Sequence, residues 1–203
     1  MSAYPLFVEG SELSALVVGG GRIGTRKALA LIDAGAAVHV VSPEITASLA
    51  GAAEEQERLR ITRALYSVRM LRDETLVIVA TNDDAANAAI AADARRRGRL
   101  VNVVSASELG NCVTPAVHRA GEVVIAISAG GVPSAAARIR DALGRPIDAR
   151  YAKAVAELAT LRRVLLDTGR RERWDEATKT LVGADFCRQV ESGEFDARCV
   201  EWH

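Results

Sequence analysis

Three glycines, Gly19, Gly21 and Gly24, stand in G-x-G-x-x-G spacing within LVVGGGRIGTRKA, Leu16 to Ala28. Each has its own task if the stretch binds a dinucleotide. Gly19 permits a tight turn, Gly21 lets the backbone approach a pyrophosphate, and Gly24 lets helix pack close to strand. Arg22 and Ile23 fill the loop and open the following helix, whose first N–H groups and dipole favour an anion. The spacing alone is also compatible with a structural turn. Its context favours nucleotide: it follows an apolar run, opens a helical pattern and sits inside one βαβ unit.

Two more positions bear on the same ligand. A ribose-binding acid is expected at the end of the second strand. Here Ser42, Pro43 and Glu44 occupy that end, and no arginine stands beside them to take a 2′-phosphate, so NAD is favoured over NADP. At the end of a later strand, ATNDD places Thr81 and Asn82 where the nicotinamide side of a cofactor would lie, although Asn82 or Asp83 could equally cap the next helix. Asn102, on the strand reading RLVNVVS, joins the cofactor-binding set.

The elements that must position these residues alternate. ALVV at 15–18 reads as a buried strand, 22–34 as a helix stopped by Gly35, and AVHVVS at 37–42 as a second strand. Residues 45–59 read as a helix, 60–65 and 74–82 as strands, 83–98 as an alanine-rich helix, and 99–105 as another strand. This alternation predicts an α/β fold, a Rossmann-type doubly wound parallel sheet. Two short β runs around Ala120-Gly121 and a helix over 132–144 follow. From Pro146 the pattern is helical and rich in arginine. The expected division is a nucleotide-binding domain at 1–111, a strand-helix region at 112–145 and a helical domain at 146–203.

Composition bounds the function. The 203 residues carry 26 basic and 26 acidic side chains, so no global field recruits nucleic acid or anionic lipid. Only 4% are aromatic, too few for base-stacking platforms. The sequence predicts no nucleic-acid partner and no membrane association. MSAYPLFVEG has neither a basic n-region nor a long apolar h-region, and Cys112, Cys187 and Cys199 form no C-x-x-C pair. Both features predict a cytoplasmic protein with reduced thiols. His39, His118 and His203 are scattered, with His118 expected exposed between β runs, and no metal site is predicted.

Taken in order, YPLFV, LVVGGGRIGTRKA, AVHVVSPE, LVIVATND, VNVVS, TPAV and IAISAGG resemble the precorrin-2 dehydrogenase family, which also forms the N-terminal part of siroheme synthase. The resemblance spans about the first three quarters of the chain. It implies oxidation of precorrin-2 to sirohydrochlorin with NAD, in some members iron insertion as well. It also implies a homodimer whose 112–145 region dimerises, with the tetrapyrrole in a cleft between domains. A polycarboxylate needs cationic and N–H partners. Ser128, Gly130 and Gly131 of the SAGG turn and Arg138 on the next helix are the expected substrate contacts, with Arg140, Arg145, Arg150, Arg162 and Arg163 as a further supply.

One departure matters. The family reads NVVD where this chain reads NVVS, so Ser105 occupies the position of the catalytic acid-base residue. A hydroxyl accepts no proton usefully near neutral pH without an adjacent base. Three readings stay open: dehydrogenation with the proton leaving to water or to Asp83, Asp84, Glu108 or His118; oxidation of a related tetrapyrrole; or a non-catalytic tetrapyrrole or NAD carrier or sensor. Iron insertion suffers under all three.

Overall fold

The structure, a computed structural model, describes residues 3–202; His203 lies outside them. The chain divides into two compact units, 1–114 and 115–203.

The first unit is built on five parallel strands, β1 (Ser14–Gly20), β2 (Ala37–Ile45), β3 (Leu59–Thr62), β4 (Leu76–Val79) and β5 (Leu100–Val103), in the order β3-β2-β1-β4-β5. The chain winds outward from β1 in both directions, so the order reverses between β1 and β4. Ligands of open α/β sheets bind at such a reversal, outside the carboxyl ends of the strands. Both faces of the sheet are covered. Leu16, Val18, Val77 and Val79 point to the face of α3 (Asp84–Arg96), which adds Ile90, Ala91 and Ala94. Ala15, Val17, Val38 and Val40 point to the face of α1 (Arg22–Asp33) and α2 (Ala47–Glu55), which add Ala28 and Leu49. Burial on both faces explains why β1 and β4 are continuous apolar runs rather than alternating ones.

Among the boundaries that differ from the sequence reading, two have a direct physical cause. β2 runs on through Ser42, Pro43 and Glu44 to Ile45, because its end pairs with Gly20 across an irregularity in the β1–β2 register. The helix expected over 45–59 stops at Glu55, because Leu59 is drawn into β3 opposite Val38.

The second unit pairs β6 (Ala116–Ala120) antiparallel with β7 (Val123–Ile127). Ala120 faces Val123, which moves the two-residue loop to Gly121–Glu122; Gly121 has φ +57°, the left-handed region glycine tolerates. Helices α4 (Pro133–Gly144), α5 (Ala149–Asp167), α6 (Arg171–Leu181), α7 (Phe186–Ser192) and α8 (Glu194–Val200) follow. Tyr151, Leu161, Leu165, Leu181 and Phe195 form their core, with Val123 of the hairpin packed against it. Among the described residues no helix is long and apolar enough to cross a membrane.

Candidate functional site

The glycine loop joins β1 to α1 at the sheet reversal. Gly19 sits at φ +113°, and a Cβ there would stand 2.3 Å from the Ala80 carbonyl oxygen at the end of β4. A Cβ on Gly24 would stand 1.8 Å from the Gly19 carbonyl oxygen, so helix and strand touch where only hydrogen fits. Gly21 is different: a Cβ there would meet no atom within 4 Å. Its backbone is extended, and it forms the N-cap of α1 with no side-chain capping bond and no acid in the first turn. The first helical amides therefore lack partners, and Gly21 leaves open space in front of them. An open, uncapped helix start fits the pyrophosphate of a dinucleotide. Exposed Arg22 adds a cation and, with Arg26, Thr46 and Ser48, lines a groove of about 480 Å³ along α1. Ile23 is exposed beside it.

Gly20 escaped the sequence reading. A Cβ on it would meet the Glu44 carbonyl oxygen at 2.5 Å and Ile45 Cγ2 at 2.7 Å, so the middle member of the GGG run lets β2 close on the loop. Thr25 and Thr46 were missed too. Thr46 accepts from the Leu49 amide and caps α2; its hydroxyl lies 2.8 Å from that of Thr25, which reaches the Gly20 carbonyl at 3.3 Å. A threonine just before an apolar helical run was the available signal. Ser42 is buried at this strand end, while Pro43 and Glu44 are exposed.

Across the reversal, the ends of β4 and β5 form one hydrogen-bonded group. Asp83, not Asn82, caps α3, accepting from the Ala86 amide at 2.9 Å; Asn82 is exposed. Thr81 Oγ1 lies 2.6 Å from Asn87 Oδ1, and Asn87 Nδ2 donates to the Thr81 carbonyl at 3.2 Å and to Ser105 Oγ at 3.3 Å. Asn87 is 1% exposed and sequence reasoning missed it, since one asparagine in an alanine-rich helix gives no periodic signal. Ser105 is exposed just beyond β5. Asn102 is buried and donates to the Cys112 carbonyl at 3.2 Å, so its amide anchors the returning loop. Asp84 and Glu108 are exposed.

Beneath the loop, the Lys27 ammonium bonds Thr114 Oγ1. Burial lowers the Lys27 pKa, and Arg26 lowers it further. Burial pushes the Cys112 thiol up to about 11, against the pull of Lys27.

In the second unit, Gly130 and Gly131 have φ +54° and +85°, and they and Ser128 are exposed ahead of α4, which starts at Pro133 without a side-chain cap. Arg138 is exposed on that helix. Arg140 pairs with Asp141 and Arg150 with Asp148. Arg162 and Arg163 are exposed. His118 is half-buried rather than exposed, because its Nε2 lies 2.7 Å from the Ile147 carbonyl. Arg145 lines the same hollow. Among the described residues no group of three His, Cys, Asp or Glu side chains could hold a metal ion.

Comparison with known proteins matches this geometry. A family model described as putative NAD(P)-binding covers residues 6–116. The siroheme synthase of Methylobacillus flagellatus is 34% identical over 203 residues, covering 97% of this chain and 42% of that protein. That of Pseudomonas entomophila is 40% identical over 161 residues, 79% of this chain and 34% of the relative. The chain thus spans about two fifths or less of the length of these relatives. A solved structure described as SirC, precorrin-2 dehydrogenase, superposes with a TM-score of 0.75 at 26% identity, covering 98% of this chain and all of that one. The chain belongs to the NAD(P)-binding family of that model and, through these relatives, to the precorrin-2 dehydrogenase and siroheme synthase family.

Proposed function

We propose that this protein oxidises precorrin-2 to sirohydrochlorin with NAD in siroheme biosynthesis. The observation that carries the reading is the open, uncapped start of α1 at the sheet reversal, in a chain of which 98% aligns with SirC. Bound NAD supplies the hydride acceptor. The first amides of α1 and Gly21 hold its pyrophosphate, with Gly19 and Gly24 keeping the loop closed and Arg22 and Ile23 walling it. Ser42, Pro43 and Glu44 face its ribose. Thr81 and Asn82 border its nicotinamide side, and Asn102 fixes the loop behind β5.

Ser128, Gly130, Gly131 and Arg138 bind substrate carboxylates. The SAGG backbone offers amides there, and Arg138 carries no ion pair among the described residues. Dehydrogenation releases one hydride and one proton. Ser105 supplies no base, so the proton leaves to water. We further propose a cytoplasmic homodimer associating through residues 112–145, with 1–111 as the cofactor domain and 146–203 as a helical domain.

Anaerobic incubation of the purified protein with precorrin-2 and NAD should yield NADH and the sirohydrochlorin absorption spectrum together. Folded protein that binds both ligands without forming NADH would favour a carrier or sensor, the reading that the missing acid at Ser105 supports. Light scattering should give twice the 21.5 kDa chain mass.

A further inference from the structure

We propose that Asn87 is a positioning residue that holds the Ser105 hydroxyl as an outward hydrogen-bond donor to an acceptor oxygen of a bound ligand, a carboxylate or a carboxamide. The identity of the ligands rests on the dehydrogenase reading above.

Asparagine is a poor residue for a helix interior, and burying its amide is costly unless every polar atom is bonded. Asn87 is buried in the first turns of α3, and it meets that condition. Its orientation is fixed by its partners. The Thr81 carbonyl can only accept, so the amide atom 3.2 Å from it must be Nδ2. That places Oδ1 against Thr81 Oγ1 at 2.6 Å, where it takes the threonine proton. The second Nδ2 proton then faces Ser105 Oγ at 3.3 Å.

Ser105 must accept in that contact, so its own proton is turned away from Asn87. Thr81 cannot serve the same purpose. Both acceptors near its proton, Asn87 Oδ1 and the Asp83 carbonyl at 3.3 Å, are internal. Of the two hydroxyls at the ends of β4 and β5, the exposed Ser105 alone keeps a proton for a ligand. The position is thereby built for recognition rather than proton removal. Two ligand groups share the matching chemistry, the nicotinamide carboxamide and a tetrapyrrole carboxylate.

The test is titration of the wild type, Ser105→Ala, Asn87→Asp and the double variant with NADH and, separately, with sirohydrochlorin. Thermal unfolding of each serves as the fold control. In Asn87→Asp a carboxylate oxygen replaces Nδ2 and draws the Ser105 proton inward. Each single variant should weaken one ligand about tenfold, the scale of one lost hydrogen bond, and the double variant should be no weaker than either single. The ligand that weakens identifies the acceptor. Ser105→Thr, which keeps a hydroxyl, should restore that affinity. If Asn87→Asp does not fold, Ser105→Ala and Ser105→Thr still decide. Wild-type affinity for both ligands in Ser105→Ala, or additive losses in the double variant, overturns the proposal. A wild type that binds both ligands without turnover overturns only the dehydrogenase reading. One that binds neither overturns both.

Discussion

On the family resemblance, Ser105 places a hydroxyl at the position of a catalytic carboxylate, a change that would separate two reactions. Hydride transfer needs ligands held in register, whereas metal insertion needs a base for the pyrrole protons. We expect weak iron insertion by the wild type and a gain of about a hundredfold in Ser105→Asp, the lower end of the range for one positioned base. Measuring sirohydrochlorin metallation in both proteins checks this, and robust wild-type insertion would place the base elsewhere. The cysteines offer a second test. Burial holds the Cys112 thiol up near 11, and the thiolate is the reactive form. Cys199 is buried and Cys187 exposed. Iodoacetamide at pH 8 should therefore label Cys187 first, with Cys112 and Cys199 modified only on unfolding, as read by peptide mass spectrometry.

At the scale of elements, glycines three residues apart in the motif have opposite roles. Gly24→Ala forces a methyl against the Gly19 carbonyl and should cost about 2–4 kcal/mol of stability. Gly21→Ala meets no protein atom, so it should cost about 0.5 kcal/mol as an N-cap change while weakening NADH binding. Urea unfolding and NADH titration of both variants separate structure from binding. The β2–β3 pair contains a buried polar group: His39 Nε2 lies 2.9 Å from Thr62 Oγ1, its Nδ1 lies 2.9 Å from an Arg60 nitrogen, and Glu74 stands 3.9 Å away. Burial lowers the His39 pKa, Arg60 and Arg72 lower it further, and Glu74 opposes them. The unfolded chain therefore takes up this proton first. The neutral ring's contribution to stability is full above the ordinary value of 6.5 and is lost as pH falls below it. Urea midpoints should drop between pH 7.5 and 5.5, and His39→Gln should flatten the drop.

For the whole molecule, the unit spanning 1–114 has its own sheet and two apolar layers, and Lys27 ties its last residue, Thr114, back to α1. A fragment ending at Thr114 should fold and bind NADH with affinity close to that of the full chain, measurable by circular dichroism and fluorescence titration. A fragment that stays unfolded would show that the second unit is needed to complete it.

Strand and helix identity in the first unit was legible because apolar runs and glycine breaks are local signals, and parallel strands buried on both faces read as continuous apolar stretches. The glycine motif was legible for the same reason: turn, approach and packing each exclude a side chain at a fixed spacing. The need for Gly20, the network of Thr25 with Thr46, the choice of Asp83 over Asn82 as cap, and the position of Asn87 were not. Each depends on which strand ends lie side by side, and sheet order is set by long-range pairing that leaves no local periodicity. The sequence by itself determined a nucleotide fold and the absence of an acid at position 105. Only the tertiary structure decided what Ser105 faces, because Asn87, itself held by Thr81, reaches it through the juxtaposition of β4 with β5.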